Sequence, residues 1–243
     1  PDNDGPGGPY PGGNIVVDAA DIVLADGRAA DEIRLQAFFG NIVSDAPDAG
    51  SNLTGVTNQD IAVGTAAATG ALDLRAGGGL DPDTLTAGTS LFTSANGATR
   101  IASADSGGPI TLLGGGGTAD IGTLVAATDI LADFVTLSID SATAGGDITL
   151  SSQGGSTDVA FAQAGDDFTV SGAATFTGGT VIATGLGTDS EPGDASLAGS
   201  NIVVDSIGDL RLDDGNAANL IDLTSSGGSI FSRPRNFSMS SAS

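Results

Sequence analysis

The chain has 243 residues, a formal net charge of −23, 39 Gly, and neither Cys nor His. It also lacks Lys, so its positive charges are seven Arg, and its acids are Asp except for Glu32 and Glu191. Such a composition excludes disulfides, thiolate metal sites, Ser-His-Asp and Cys-His catalysis, and lysine Schiff bases. So acidic a surface is repelled by nucleic acid and by anionic bilayers, so no nucleic-acid partner and no membrane insertion is expected.

Residues 1–13, PDNDGPGGPYPGG, are Pro, Gly and Asn/Asp around one aromatic, and read as a flexible leader or linker. The chain starts at Pro1 without a Met or a signal peptide, which suggests a processed product or an excised piece. From Asn14 onward, apolar residues step by two, the pattern of short half-buried strands. In order they are Ile15/Val17, Ile22/Leu24, Ile33/Leu35, Ile61/Val63, Leu72/Leu74 and Ile110/Leu112. Then follow Val135/Leu137/Ile139, Ile148/Leu150, Val159/Phe161, Phe168/Val170, Ile202/Val204, Leu210/Leu212 and Ile221/Leu223. No helical stripe is present, and Asp in place of Glu favours turns over helices.

Asp stands directly before the first apolar residue at Asp21, Asp60, Asp120, Asp129, Asp147, Asp158, Asp167 and Asp209. Gly146, Gly165 and Gly208 stand just ahead of three of them. Glycine is expected to supply a positive φ there, and the Asp carboxylate to bond the amides that follow it. Residues 77–119, with GGGLDPD and LLGGGGTAD, interrupt the register and are expected to loop out. Glu191–Gly199 reads likewise, and residues 233–243 as a Ser-rich tail or linker.

Self-similarity fixes the architecture. Asn14–Ser44 returns as Asn201–Ser232 with one inserted residue, and DITL at Asp147 aligns with DLRL at Asp209, an offset of 62 residues. Corner glycines recur every 19 or 20 residues, as from Gly146 to Gly165 and from Gly208 to Gly228. The 62-residue offset then reads as three coils. The expected fold is all-β: a right-handed parallel β-helix (β-solenoid) of about 20 residues per coil, spanning 14–232. Eleven or twelve coils at ~4.8 Å would give a rod of roughly 55 Å.

Carboxylates are the available chemistry. Asp166-Asp167 and Asp213-Asp214 are adjacent pairs, but neighbours on a strand face opposite ways, which argues against a catalytic dyad. The glycine runs Gly77–Gly79 and Gly114–Gly117 match no phosphate-binding loop. Gly-Asp corners at Asp147, Asp166 and Asp167 are the candidates for weak Ca²⁺ binding, without the tandem nonapeptides of a calcium-binding β-roll. No other cofactor is expected.

The segments GGDITLSS, AGDDFTVSG, GSNIVVDSIGDLRL and SGGSIFS resemble the repeat shaft of filamentous-haemagglutinin-type bacterial exoproteins. The resemblance covers most of Asn14–Ser232, while the NPNGI- and NPNL-like motifs of that family's secretion domain are missing. It implies an extracellular or cell-surface β-helical adhesin of bacterial origin. Its partners would be further copies of itself, a host or neighbouring cell surface, or a glycan. The chain is then expected to be a structural or adhesive segment rather than an enzyme, with end-to-end filament assembly as a variant. The alternative is a carbohydrate-active β-helix, a polysaccharide lyase or tailspike-like hydrolase using Asp carboxylates.

Overall fold

A computed structural model describes residues 13–185 and 200–233. Among these the chain is strand and turn throughout, with no helix. Each coil contributes two strands. Coils 1 to 3 are β1 (Ile15–Ala19) and β2 (Ile22–Ala29), β3 (Ile33–Ala37) and β4 (Ile42–Ala49), β5 (Leu53–Thr57) and β6 (Ile61–Ala68). Coils 4 to 6 are β7 (Ala71–Ala76) and β8 (Leu80–Ala87), β9 (Ser90–Ala95) and β10 (Thr99–Ser106), β11 (Ile110–Gly114) and β12 (Thr118–Ala126). Coils 7 to 9 are β13 (Ile130–Phe134) and β14 (Thr136–Ala144), β15 (Ile148–Ser152) and β16 (Ser156–Ala164), β17 (Phe168–Ala173) and β18 (Thr175–Ala183). Coils 10 and 11 are β19 (Asn201–Ser206) and β20 (Leu210–Ala217), β21 (Leu220–Ser225) and β22 (Ile230–Ser232).

The odd-numbered strands form one parallel sheet of eleven and the even-numbered strands a second. The fold is therefore a parallel β-solenoid, and ten steps of ~4.8 Å make it about 48 Å long. Corresponding residues of successive coils are 18 to 20 apart, except across the ninth coil, where the interval is 34. Odd strands are five or six residues, whereas most even strands are eight or nine and bend at mid-strand. In β14 the burial alternation breaks at Asp140 and Ser141, two successive residues facing outward, and pairing with β12 skips Asp140. The bend turns the even sheet into two facets, so the coil has three sides.

Stacking like on like builds the core. One inward column of the odd sheet runs Ile15, Ile33, Leu53, Leu72, Leu91, Ile110, Ile130, Ile148, Phe168, Ile202, Ile221. Burying each such side chain is worth about 1.5–3 kcal/mol before chain entropy is subtracted. At the far end of the even strands the inward column is alanine from Ala29 to Ala217, broken by Ser106 alone. Small residues are needed there because the two sheets converge. Where a column carries an aromatic, its neighbour shrinks: Phe134 fills the space above Gly114, whose Cβ would lie 2.1 Å from the ring.

Several expectations need correction. Residues 77–119 do not loop out: the glycine runs are tight corners, and β8, β10 and β12 pair in register. The 62-residue offset is half a coil out of phase, since it lays Ile148 of β15 over Leu210 of β20, on different sheets. Both sheets open their strands with the same Asp-apolar-x-apolar pattern, so self-similarity could not separate them. Gly146, Gly165 and Gly208 do not have positive φ. They are glycine because the coil beneath is too close, a Cβ on Gly165 lying 2.0 Å from the Gly145 carbonyl oxygen. Asp120 and Asp158 lie within strands rather than at corners, while Val135 sits at a corner and Phe161 faces outward at the bend. The expectations for 1–12, Glu191–Gly199 and 234–243 fall outside the described residues; Arg233 still donates its amide to the Leu212 carbonyl at 3.2 Å.

Candidate functional site

The aspartates at the coil corners stitch one coil to the next. Each carboxylate accepts the amide of the equivalent residue a coil onward, not the amides that follow it in its own strand. Before the even strands, Asp21 takes the Asn41 amide at 3.0 Å, Asn41 takes that of Asp60 at 3.1 Å, and Asp60 that of Gly79 at 2.6 Å. Before the odd strands, Asp129 accepts from Asp147 at 3.0 Å, Asp147 from Asp167 at 3.0 Å, and Asp167 from Asn201 at 2.7 Å. Asparagine serves as well as aspartate because the column needs only a side-chain oxygen at this reach.

The three calcium candidates all belong to this stitching. Asp147 is half-buried between like charges, and burial, with Asp166, Asp129 and Asp167 nearby, raises its carboxyl above the ordinary aspartate range despite the Asp167 amide. Asp166 is buried and takes the Ser200 amide at 3.1 Å, next to Asp167 on Asn201. These two acids hold the start of coil 10 at Ser200 and Asn201, with Ser200 at φ 75°. Among the described residues no three acids are gathered in a way that could hold a metal ion.

Asp166 and Asp167 do not converge, whereas Asp213 and Asp214, contrary to the opposite-facing expectation, are successive outward residues at the bend of β20 and line one hollow with Thr180 and Arg233. Asp166 and Asp167 bond separate amides, and Asp213 is held by Arg211, which donates to its two oxygens at 2.8 and 3.2 Å. That fork keeps the Asp213 carboxyl below the ordinary range. A glycosidase dyad needs two carboxyls across a substrate-sized gap; Asp166 and Asp167, each taken up by a different backbone amide, do not present one.

The outer surface carries the remaining chemistry. Two Arg–Asp forks recur with the same spacing, Arg75 on Asp73 at 2.9 Å through two nitrogens, and Arg211 on Asp213. Each has a Phe on the next coil: Phe92 pairs with Asp73, and Phe231 with Arg211. Arg75 lies over the Phe92 ring at 4.8 Å and shields it. Phe231 is 59 % exposed. Around it a groove of about 790 Å³ is lined by Thr175, Thr177, Asp209, Arg211, Asp213, Phe231 and Arg233. A second exposed apolar group, Val23, Val43, Phe38 and Phe39, occupies the odd-to-even corner of coils 1 and 2 and its flank. Reading the sequence missed both surfaces, since outward columns carry no periodic apolar signal; the Asp-x-Arg and Arg-x-Asp spacings were the trace available.

Compared with protein-family models, curated proteins and solved structures, the chain matches none. Among the described residues no helix is long and apolar enough to cross a membrane.

Proposed function

We propose that this chain is a structural and adhesive rod: a segment of an exported or surface-attached bacterial β-solenoid protein, working outside the cell. The observation that carries the reading is the stack itself. Eleven coils among the described residues are aligned by inward ladders and corner stitches, and the corner carboxylates of Asp129, Asp147, Asp166 and Asp167 accept backbone amides. Such a molecule offers length, stiffness and three flat sides. Its partners on this reading are a host or neighbouring cell surface, a glycan, or further copies of itself. End-to-end association has support from Ile230, which stacks on Leu210 in an inward column yet is 46 % exposed.

Electron microscopy of the purified chain, with and without a calcium chelator, tests this. Stiff particles roughly 50 Å long, or filaments built in multiples of that length, are expected. Compact round particles, or depolymerisation of a polysaccharide by the chain, would overturn it.

A further inference from the structure

Resting on that reading, we propose that the groove around Phe231 is a carbohydrate site, taking an uncharged pyranose of an oligosaccharide. The register places nine outward residues in a three-by-three array. Thr175, Thr177 and Gly179 come from β18, then Asp209, Arg211 and Asp213 from β20 and the residue before it, then Ser229, Phe231 and Arg233 from β22 and its flanks. Recognition of a pyranose needs a flat apolar face for the ring C–H groups and rigid polar groups at its edge for the hydroxyls. Phe231 supplies the face. At its edge, Arg211 donates to both oxygens of Asp213, which sets donors and acceptors side by side.

Comparison with the other fork explains why this site and not that one. At coils 4 and 5 the guanidinium of Arg75 covers Phe92, so the ring is already occupied. At coils 10 and 11 the fork is aligned with its aspartate while the Phe231 ring stays open to solvent. Charge selects the ligand class further. The groove sets two Arg against two Asp and is locally neutral, whereas the chain carries −23. A polyanionic glycan is repelled by the whole rod, but an uncharged one is not.

The test is binding of the full chain to immobilised hexasaccharides of glucose, galactose, mannose and N-acetylglucosamine, with galacturonate as the charged comparison. At least one uncharged glycan is expected to bind, with galacturonate weaker. Phe231→Ala should weaken binding by about tenfold or more. Both residues are exposed, so Arg211→Gln gives an independent variant with the fold retained, checked by circular dichroism, and should also weaken binding. Val43→Ala, on the same facet in coil 2, should leave it unchanged. No binding to any uncharged glycan, preference for galacturonate, or equal binding by Phe231→Ala and Arg211→Gln would overturn the site. Rods seen by microscopy that bind none of the glycans would reject the groove and leave the rod standing, whereas compact particles would reject the rod itself.

Discussion

The carboxylate of Asp147 accepts the backbone amide of Asp167, one coil further on, at 3.0 Å. The same bond, repeated from Asp129 to Asp147 and from Asp167 to Asn201, lines acids up at a spacing set by the sheet. Satisfying each amide thus brings like charges together, and the charges that act on Asp147 are the acids Asp166, Asp129 and Asp167.

Asp147→Asn keeps the acceptor oxygen and removes the charge. Because the folded-state carboxyl of Asp147 is raised, the native state holds its proton more tightly than the unfolded chain does. Stability from this group is therefore full at low pH and lost as pH rises from the ordinary aspartate range through the raised value. Thermal melts between pH 3 and 7 should show Asp147→Asn more stable than the parent at pH 7, with a flatter profile across that window. An unchanged profile would mean that the column does not carry the strain.

Gly114 and Phe134 should behave as one unit. Gly114→Ala alone drives a methyl into the ring and should cost about 1–3 kcal/mol. In a Phe134→Leu background the methyl has room, so a double-mutant cycle should return a favourable coupling of about 1 kcal/mol or more. Urea unfolding of the four proteins measures it.

Position along the rod should grade the cost of the same deletion. Leu112 in coil 6 is fully buried between two neighbouring coils, and Leu112→Ala should cost about 2–5 kcal/mol. Leu223 in coil 11 is partly buried, and Leu223→Ala should cost less than about 1 kcal/mol. Equal losses in denaturant melts would argue against nearest-neighbour stacking as the source of stability.

Asp166 and Asp167 should hold the last two coils in place. Asp167→Ala removes the bond to the Asn201 amide and should cost about 1–3 kcal/mol for the stranded donor. Hydrogen exchange should accelerate in β19 to β22 while β5 to β15 stay protected. Uniform acceleration along the rod would count against a local seam.

Period-two alternation located the strands well, because an inward ladder leaves a strict mark: Ile33/Leu35 and Ile148/Leu150 are buried as their spacing demanded. Corner spacing gave the coil length for the same reason. The mid-strand bend went unseen, since strict period-two alternation does not allow two outward residues such as Asp140 and Ser141 to adjoin inside one strand. Asp21, Asp60, Asp129, Asp147, Asp167 and Asp209 are corner residues as expected, Asp120 and Asp158 are not, and the partners of the corner acids lie 18 to 34 residues away, beyond any local rule. At the surface, Arg211 and Phe231 are 20 residues apart and meet only through register, so the groove needed the fold before it could be read.

The ninth coil shows what the stitching permits. From Asp167 to Asn201 the chain spends 34 residues on a circuit that elsewhere takes about 19, yet Phe168 still stacks on Ile202 and Val170 on Val204. Alignment across the seam is set at the landing point, not by the length of what was travelled. The number of residues between Ala183 and Ser200 is accordingly the one dimension the stitching leaves free: lengthening that span should leave the pairing of β17 with β19 and of β18 with β20 unchanged.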